Sequence, residues 1–159
     1  FPGISGVLKT LAQMEDAEFM PYKHTFRRAD AIMPSDMIFP NIDNDTQAML
    51  SDKVIKGLLK KRLNYKGCVV SFPLFKGRLH YEEASAIKML HAGIEDILAP
   101  KNANGVIDAI EREADKGLLL DEIIRSVSNH ELLLSKVFVA PTPEDVKDAF
   151  EAAQNFAKK

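Results

Sequence analysis

Short apolar runs alternate with amphipathic segments along most of the chain. Three runs are rich in aliphatic residues and are limited by glycine or proline, namely "ADAIM" at 29–33, "GCVVS" at 67–71 and "EDILAP" at 95–100. Runs of this length and composition predict strands. The segment "IFPNIDNDTQ" at 38–47 carries no such pattern, and we expect it to form a loop.

The segments between and after the strands have apolar residues at helical spacing. The first, 51–63, begins with Ser51 as N-cap and places Val54, Ile55, Leu58 and Leu59 on one face. The second, 81–93, ends at Gly93, with Ala84, Ile87, Met89 and Leu90 turned inward. The third, 102–117, has a stripe of Val106, Ile107 and Ile110 and stops at Gly117.

Helices are also predicted at both ends of the chain. Residues 120–137 form one, and residues 142–159 form another with Thr142 as N-cap and Pro143 in its first turn. The N-terminal part, about 8–28, has helical spacing but contains Pro21, so we expect a kinked or split helix.

Strands that alternate with helices predict an α/β fold with parallel strands joined by right-handed crossovers. This pattern fits either a doubly wound sheet or part of a (β/α)₈ barrel. A whole barrel typically needs about 250 residues. The chain has 159 residues, so only about half of a barrel would fit.

Composition and charge exclude several classes of protein. Hydrophobic residues make up 46% and charged residues 28% of the chain, as in soluble globular proteins. The net charge of -2 predicts no nucleic-acid partner, and no apolar run approaches the roughly 20 residues of a membrane-spanning helix. Because the first residue is Phe1 rather than Met, we expect the chain to begin inside a longer gene product.

Few residues are suited to cofactor or metal chemistry. The single cysteine, Cys68, excludes an internal disulfide and lies in the most apolar strand, where we expect an inert buried thiol. No glycine-rich nucleotide loop is present, and the histidines lack metal-ligand spacing. We therefore expect no metal and no cofactor. The four histidines are His24, His80, His91 and His130.

The ends of the predicted strands carry the candidate site. Asp36 follows the first strand, Ser71 and Phe72 follow the second, and Lys101 and Asn102 follow the third. In a parallel fold these ends share one face, where ligands bind. Asp36 is equally well explained as a turn residue, and Phe72 as packing over the sheet. Asn102 or Asn104 is better explained as a helix cap. These residues contain no catalytic constellation.

Five segments together resemble the family 3 glycoside hydrolases, and in particular their bacterial β-N-acetylhexosaminidases. The likeness covers about residues 1–137 in unbroken order. It implies the C-terminal half of a (β/α)₈ barrel, with 138–159 as a C-terminal helix whose attachment stays open. It also suggests the bacterial cytoplasm or cell envelope. The segments are "FPG" at 1–3, "DAIMPSDMIFPNID" at 30–43, "LSDKVIKGLLKKRLNYKGCVVS" at 50–71, "AIKMLHAGIEDILAP" at 86–100 and "LDEIIRSVSNHELLLSKV" at 120–137.

The resemblance implies a retaining glycosidase whose nucleophile is an aspartate after the seventh strand. Here Val69, Val70 and Ser71 match the family pattern, but the nucleophile position is Phe72. Asp36 stands where the family has a histidine. The stretch after Gly3, "ISGVLKTLA", is too short for the family's acid/base loop and has neither His nor Asp.

Three hypotheses follow from these departures. The first is a catalytically degenerate member retained for glycan binding or scaffolding, with Asp36, Ser71 and Phe72 as substrate-binding residues. The second is an active retaining glycosidase acting on β-N-acetylglucosaminides, completed by a missing N-terminal half and an atypical nucleophile. The third is a purely structural half-barrel. The expected partners are an N-acetylglucosamine-type glycan and the other half-barrel, in the same or a second chain.

Overall fold

The computed structural model describes residues 8–26, 28–74, 81–137, 142–144 and 147. Within these residues there are four strands, β1 Ala31–Ile32, β2 Ile38–Phe39, β3 Asp43–Gln47 and β4 Cys68–Val69. A 3₁₀-helix covers Ala48–Leu50 and a π-helix covers Lys53–Arg62. The α-helices are α1 Leu11–Asp16, α2 Phe19–Thr25, α3 Glu82–Ala92, α4 Ala103–Asp115 and α5 Leu120–Val137.

The central strands are parallel, as predicted. β1 pairs with β4 through Ala31 with Cys68 and Ile32 with Val69. Beyond β4, Val70 forms a parallel bridge to Asp96, and Ser71 donates its N–H to the Asp96 carbonyl at 2.7 Å. The third predicted strand therefore lies beside β4, although it is reduced to one bridge. The α/β class with parallel strands is confirmed.

An antiparallel hairpin replaces the loop expected at 38–47. β2 pairs with β3 through Ile38 with Gln47 and Phe39 with Asp43, with an irregularity between the two pairs. The sequence of β3, "DNDTQ", lacks alternating apolar residues because only its last residue, Gln47, is buried. A strand without a buried face leaves no periodic pattern to detect.

The helix at 53–62 confirms the predicted face but not the predicted winding. All four apolar residues assigned to its inner face are buried, and Ser51 caps its start by accepting the Val54 N–H at 3.2 Å. The helix is nevertheless a π-helix, and at its end Leu63 N–H bonds the Leu58 carbonyl at 2.8 Å. Apolar pairs at 54–55 and 58–59 fit both 3.6 and wider windings, so the pattern cannot separate them.

The ends of the other helices follow the predicted signals. Gly93 ends α3 at a φ of 108°, and Gly117 follows α4 at a φ of 77°; both lie in the left-handed region that favours glycine. The N-terminal helix is split into α1 and α2, with Pro21 in the first turn of α2. In the predicted C-terminal helix, residues 143, 144 and 147 are helical and residue 142 precedes them outside the helix; residues 138–141, 145–146 and 148–159 lie outside the described residues.

Two predicted inward positions are wrong. Ala84 in α3 is exposed, and Ile107 in α4 is 52% exposed. Their places are taken by Ser85 and Ala86 in α3 and by Ala109 in α4, which are all buried. α3 packs against α4, and small side chains at such a contact let two helices approach closely.

The core lies between the parallel strands and the helices that cover one face of them. Gly67 precedes β4, and a Cβ atom there would lie 2.6 Å from the Tyr65 ring and 2.7 Å from the Asp30 carbonyl oxygen, so only glycine fits.

None of the described helices is both long and apolar enough to cross a membrane. The largest fully buried side chains are Tyr65, Met14, Met49, Ile55, Leu74, Met89, Ile94 and Val69.

Candidate functional site

Ser71 lies directly after β4, at the edge where the predicted site was placed. It is fully buried, with 0% exposure. Its hydroxyl oxygen accepts the Leu98 N–H at 2.9 Å. The side chain thus joins the end of β4 to the segment after Asp96, and this contact fixes the backbone from which Phe72 projects.

Phe72 is half-buried and packs against the hydrophobic core. Two residues later, Leu74 is 1% exposed and its N–H bonds the Leu98 carbonyl at 3.0 Å. The segment after β4 is therefore held at both ends, while Phe72 as a whole residue is partly exposed. A phenyl ring has no group that transfers a proton or attacks a sugar, but its face can stack on one.

Asp36 follows β1 and is half-buried. It forms no hydrogen bond or ion pair with any residue in the described part of the chain. Among the described residues, no polar contact links Asp36 to Ser71. The substrate-binding role of Asp36, Ser71 and Phe72 therefore stays a prediction. Within the same residues, no three His, Cys, Asp or Glu side chains are arranged to hold a metal ion.

The loop after the third parallel segment is held by two carboxylates of α3. Glu82 Oε2 accepts the N–H groups of Lys101 at 2.9 Å and Asn102 at 3.1 Å. Glu83 Oε1 accepts from Asn102 Nδ2 at 3.3 Å. Asn102 Oδ1 in turn accepts the Gly105 N–H at 3.1 Å, which confirms Asn102 as the cap of α4. Both glutamates are thus engaged in local structure.

A buried carboxylate that the sequence analysis missed lies near the opposite end of the strands. Glu95 has a fully buried side chain. Glu95 Oε2 accepts the Val69 N–H at 2.6 Å, its Oε1 accepts from Asn129 Nδ2 at 2.5 Å, and Lys60 Nζ lies 3.2 Å from it. The only signal for it was an acidic residue between apolar ones in "AGIEDIL".

Cys68 is buried, as predicted. Its Sγ lies 3.4 Å from Asp96 Oδ2, and Asp96 also pairs with His130 Nδ1 at 2.8 Å. Burial, followed by the Asp96 carboxylate, raises the pKa of the Cys68 thiol to about 12. The thiolate is the reactive form, so this environment suppresses reactivity.

Comparison with known proteins confirms the family. Residues 5–130 match the family model described as the glycosyl hydrolase family 3 N terminal domain. The chain belongs to this family. No curated protein sequence shows significant similarity to it.

Solved structures of glycosyl hydrolase family 3 proteins are similar to the chain. A β-N-acetylglucosaminidase from Paenibacillus sp. is 26% identical with a TM-score of 0.77, and the match covers 83% of this chain and 27% of that chain. The β-N-acetylglucosaminidase from Thermotoga maritima is 20% identical with a TM-score of 0.76, covering 83% and 31%. The chain thus spans between a quarter and a third of their length.

A similar fold also occurs in a protein whose description names another activity. A β-glucoside phosphorylase is 13% identical with a TM-score of 0.77, and the match covers 88% of this chain and 28% of that chain. At such identities the likeness shows the fold alone. The chemistry of this domain has to be argued from its own strand ends.

Proposed function

We propose that this glycosyl hydrolase family 3 domain has lost hydrolytic chemistry and is retained for binding an N-acetylglucosamine-type glycan or for scaffolding. The observation that carries the proposal is Phe72, which stands at the end of β4 where the family resemblance expects the nucleophilic aspartate. Retaining hydrolysis needs two carboxyl groups across the scissile bond. A phenylalanine cannot form the glycosyl ester.

The neighbouring carboxylates support the loss of activity. Glu82 accepts two backbone N–H groups and Glu83 accepts from an amide, so each has a structural task. Asp36 is half-buried, but its position corresponds to a family histidine rather than to the nucleophile. Phe72 is a partly exposed residue, and an aromatic ring at this position has one useful property, because aromatic faces stack well on sugar rings.

An active glycosidase is the competing hypothesis. Its support is the 26% identity to the Paenibacillus protein, whose description is a β-N-acetylglucosaminidase. It requires another carboxylate to replace the missing aspartate. The two hypotheses differ in one measurable quantity, which is turnover of a chromogenic β-N-acetylglucosaminide.

The test uses the full natural polypeptide, with Phe72→Asp and Phe72→Ala variants. We expect no turnover by the natural protein or by Phe72→Ala. If the pocket survives, Phe72→Asp gains turnover because it restores a carboxylate at that position. Binding of an N-acetylglucosamine oligomer, measured by calorimetry, should weaken in Phe72→Ala. Turnover by the natural protein would overturn the proposal, and unchanged oligomer binding in Phe72→Ala would remove Phe72 from the site.

We also propose that the described strands are the later part of a (β/α)₈ barrel, completed by the other half in the same or a second chain. Ile32 packs on the core, so its neighbour Ala31 faces the opposite side of β1. Ala31 is exposed and Met33 is 49% exposed. An exposed apolar face on a parallel strand supports the proposal that the other half of the barrel covers it.

A further inference from the structure

A cavity of about 610 Å³ opens at the end of the strands opposite Ser71 and Phe72. Its strand-side wall is formed by Asp30, which precedes β1, and by Gly67 and Cys68 at the start of β4. Residues of α2, of the loop 62–66 and of α5 complete the lining. Its volume lies within the range of sites that bind small molecules, roughly 300–1,000 Å³.

Cationic side chains outnumber anionic ones around this cavity. Lys23, Arg62, Lys66 and Lys136 line it, against the single carboxylate of Asp30. Asp30 is paired with Lys136 at 2.9 Å, and Arg62 is paired at 2.6 Å with Glu15, which lies outside the lining.

Two of the four cations have no direct partner. Neither Lys23 nor Lys66 forms a hydrogen bond or ion pair with any residue that the structure describes, although Lys23, after the larger effect of Arg62, helps to hold the pKa of the Glu15 carboxyl below its usual value. Two positive charges at the cavity are therefore not neutralised by a contact. A ligand that carries two negative charges would supply the missing partner.

The remaining walls are apolar. Phe26 directly follows α2, Leu63 directly follows the π-helix, and Leu132 and Leu133 lie in α5. Leu132 is 54% exposed, which leaves apolar surface in contact with water. A purely inorganic anion would leave these walls uncovered, whereas an organic group would bury them.

We propose that this cavity binds a small phosphate monoester with an apolar body. A phosphate monoester carries nearly two negative charges at neutral pH. Its phosphate meets the ammonium groups of Lys23 and Lys66, and its organic part packs against Phe26, Leu63 and Leu132. The site is separate from the strand ends on which the proposed glycan binding rests, so each can fail without the other.

The test measures binding of phenyl phosphate to the full natural polypeptide by calorimetry. Inorganic phosphate has the charge without the ring, and benzoate has the ring with a single charge, so both should bind more weakly. Lys66→Ala and Lys23→Ala should each weaken phenyl phosphate binding about five-fold, because each removes one partly exposed ion pair worth about 1 kcal/mol. The matched control is Lys88→Ala, an exposed α3 lysine that does not line the cavity.

Three results would overturn the proposal. They are the absence of phenyl phosphate binding at millimolar concentration, equal effects of Lys66→Ala and Lys88→Ala, and equal affinity for phenyl phosphate and inorganic phosphate. Lys66 is exposed, so Lys66→Ala is expected to fold, and an unchanged melting temperature checks this. Charge reversal in Lys66→Glu should weaken binding further than Lys66→Ala, and equal weakening would also contradict an electrostatic contact.

Discussion

At the scale of single residues, Cys68 shows how a strand position controls chemistry. Its thiol is buried at the start of β4 beside the Asp96 carboxylate. These surroundings raise the thiol pKa from 9.0 to about 12, and a negative neighbour destabilises the thiolate further than burial alone. The residue is therefore placed to stay protonated.

We predict that Cys68 reacts with a disulfide reagent at pH 8 at least about 1,000-fold more slowly in the folded protein than in the unfolded chain. The reason is that raising the thiol pKa from 9.0 to about 12 lowers the thiolate fraction at this pH by about that factor. The chain has one cysteine, so the released chromophore reports this residue without ambiguity. The unfolded rate is measured in guanidinium chloride at the same pH. Similar rates in both states would contradict a buried, protonated thiol.

Residue positions were predictable where a local signal exists. Ser51, Gly93 and Asn102 carry cap or turn signals in the neighbouring sequence, and all three act as predicted. Glu95 was missed because its partners come from elements far apart in the chain, including Lys60 in the π-helix and Asn129 in α5. A charge within an apolar strand signals such a network, but the sequence does not name its members.

At the scale of elements, Glu95 ties four segments together. Its carboxylate contacts Lys60 of the π-helix, Val69 of β4 and Asn129 of α5. Lys60 Nζ also donates to the Gly67 carbonyl at 2.6 Å, so the ammonium group bridges the carboxylate and the turn before β4. A buried charge with several partners is costly to disturb because each partner loses its contact.

We predict that Glu95→Gln lowers the free energy of unfolding by about 3 kcal/mol, because it leaves the Lys60 charge without its anionic partner. Urea denaturation of the full natural polypeptide measures this loss. The matched control is Glu111→Gln on the exposed side of α4, which should change the value by less than about 0.5 kcal/mol. Equal losses in the two variants would show that the Glu95 network contributes no more than a surface charge.

Elements with a buried face were predictable, and those without one were not. The inner face of the helix at 53–62 is correct, because burial imposes apolar residues at regular positions. The π winding of that helix and the β2–β3 hairpin were not predicted, because neither has a distinctive spacing of apolar residues in the sequence. In α3 and α4 the buried stripe differs from the predicted one because it includes small residues, Ala86 and Ala109, in place of Ala84 and Ile107.

At the scale of the whole molecule, chain length and strand alternation indicated part of a barrel. The parallel order of β1, β4 and the segment at Asp96 agrees with this. The alternation of strands and helices does not indicate which polypeptide supplies the remaining strands of the proposed barrel. The residues that would cover Ala31 lie outside β1, β4 and the segment at Asp96. The two ends of the strands carry different chemistry, with Phe72 at one end and the cationic cavity at the other.

The proposed completion of the barrel predicts that lysine substitutions at two exposed alanines differ in their effect on stability. Ala31 lies on the open face of β1 and Ala84 on the outer side of α3, and both are exposed in this chain. If another half-barrel covers β1, a lysine at position 31 becomes enclosed in the complete protein. Ala31→Lys should then destabilise the full natural polypeptide by about 3 kcal/mol or more, since it buries an unpaired charge.

The control variant, Ala84→Lys, should stay within about 0.5 kcal/mol because its side chain remains in water. Thermal or urea unfolding of the two variants and the natural polypeptide gives the comparison directly. A small effect of Ala31→Lys, equal to that of Ala84→Lys, would mean that the inner face of β1 stays open. The half-barrel would then have to be stable without a cover, and the proposed partner half would be excluded.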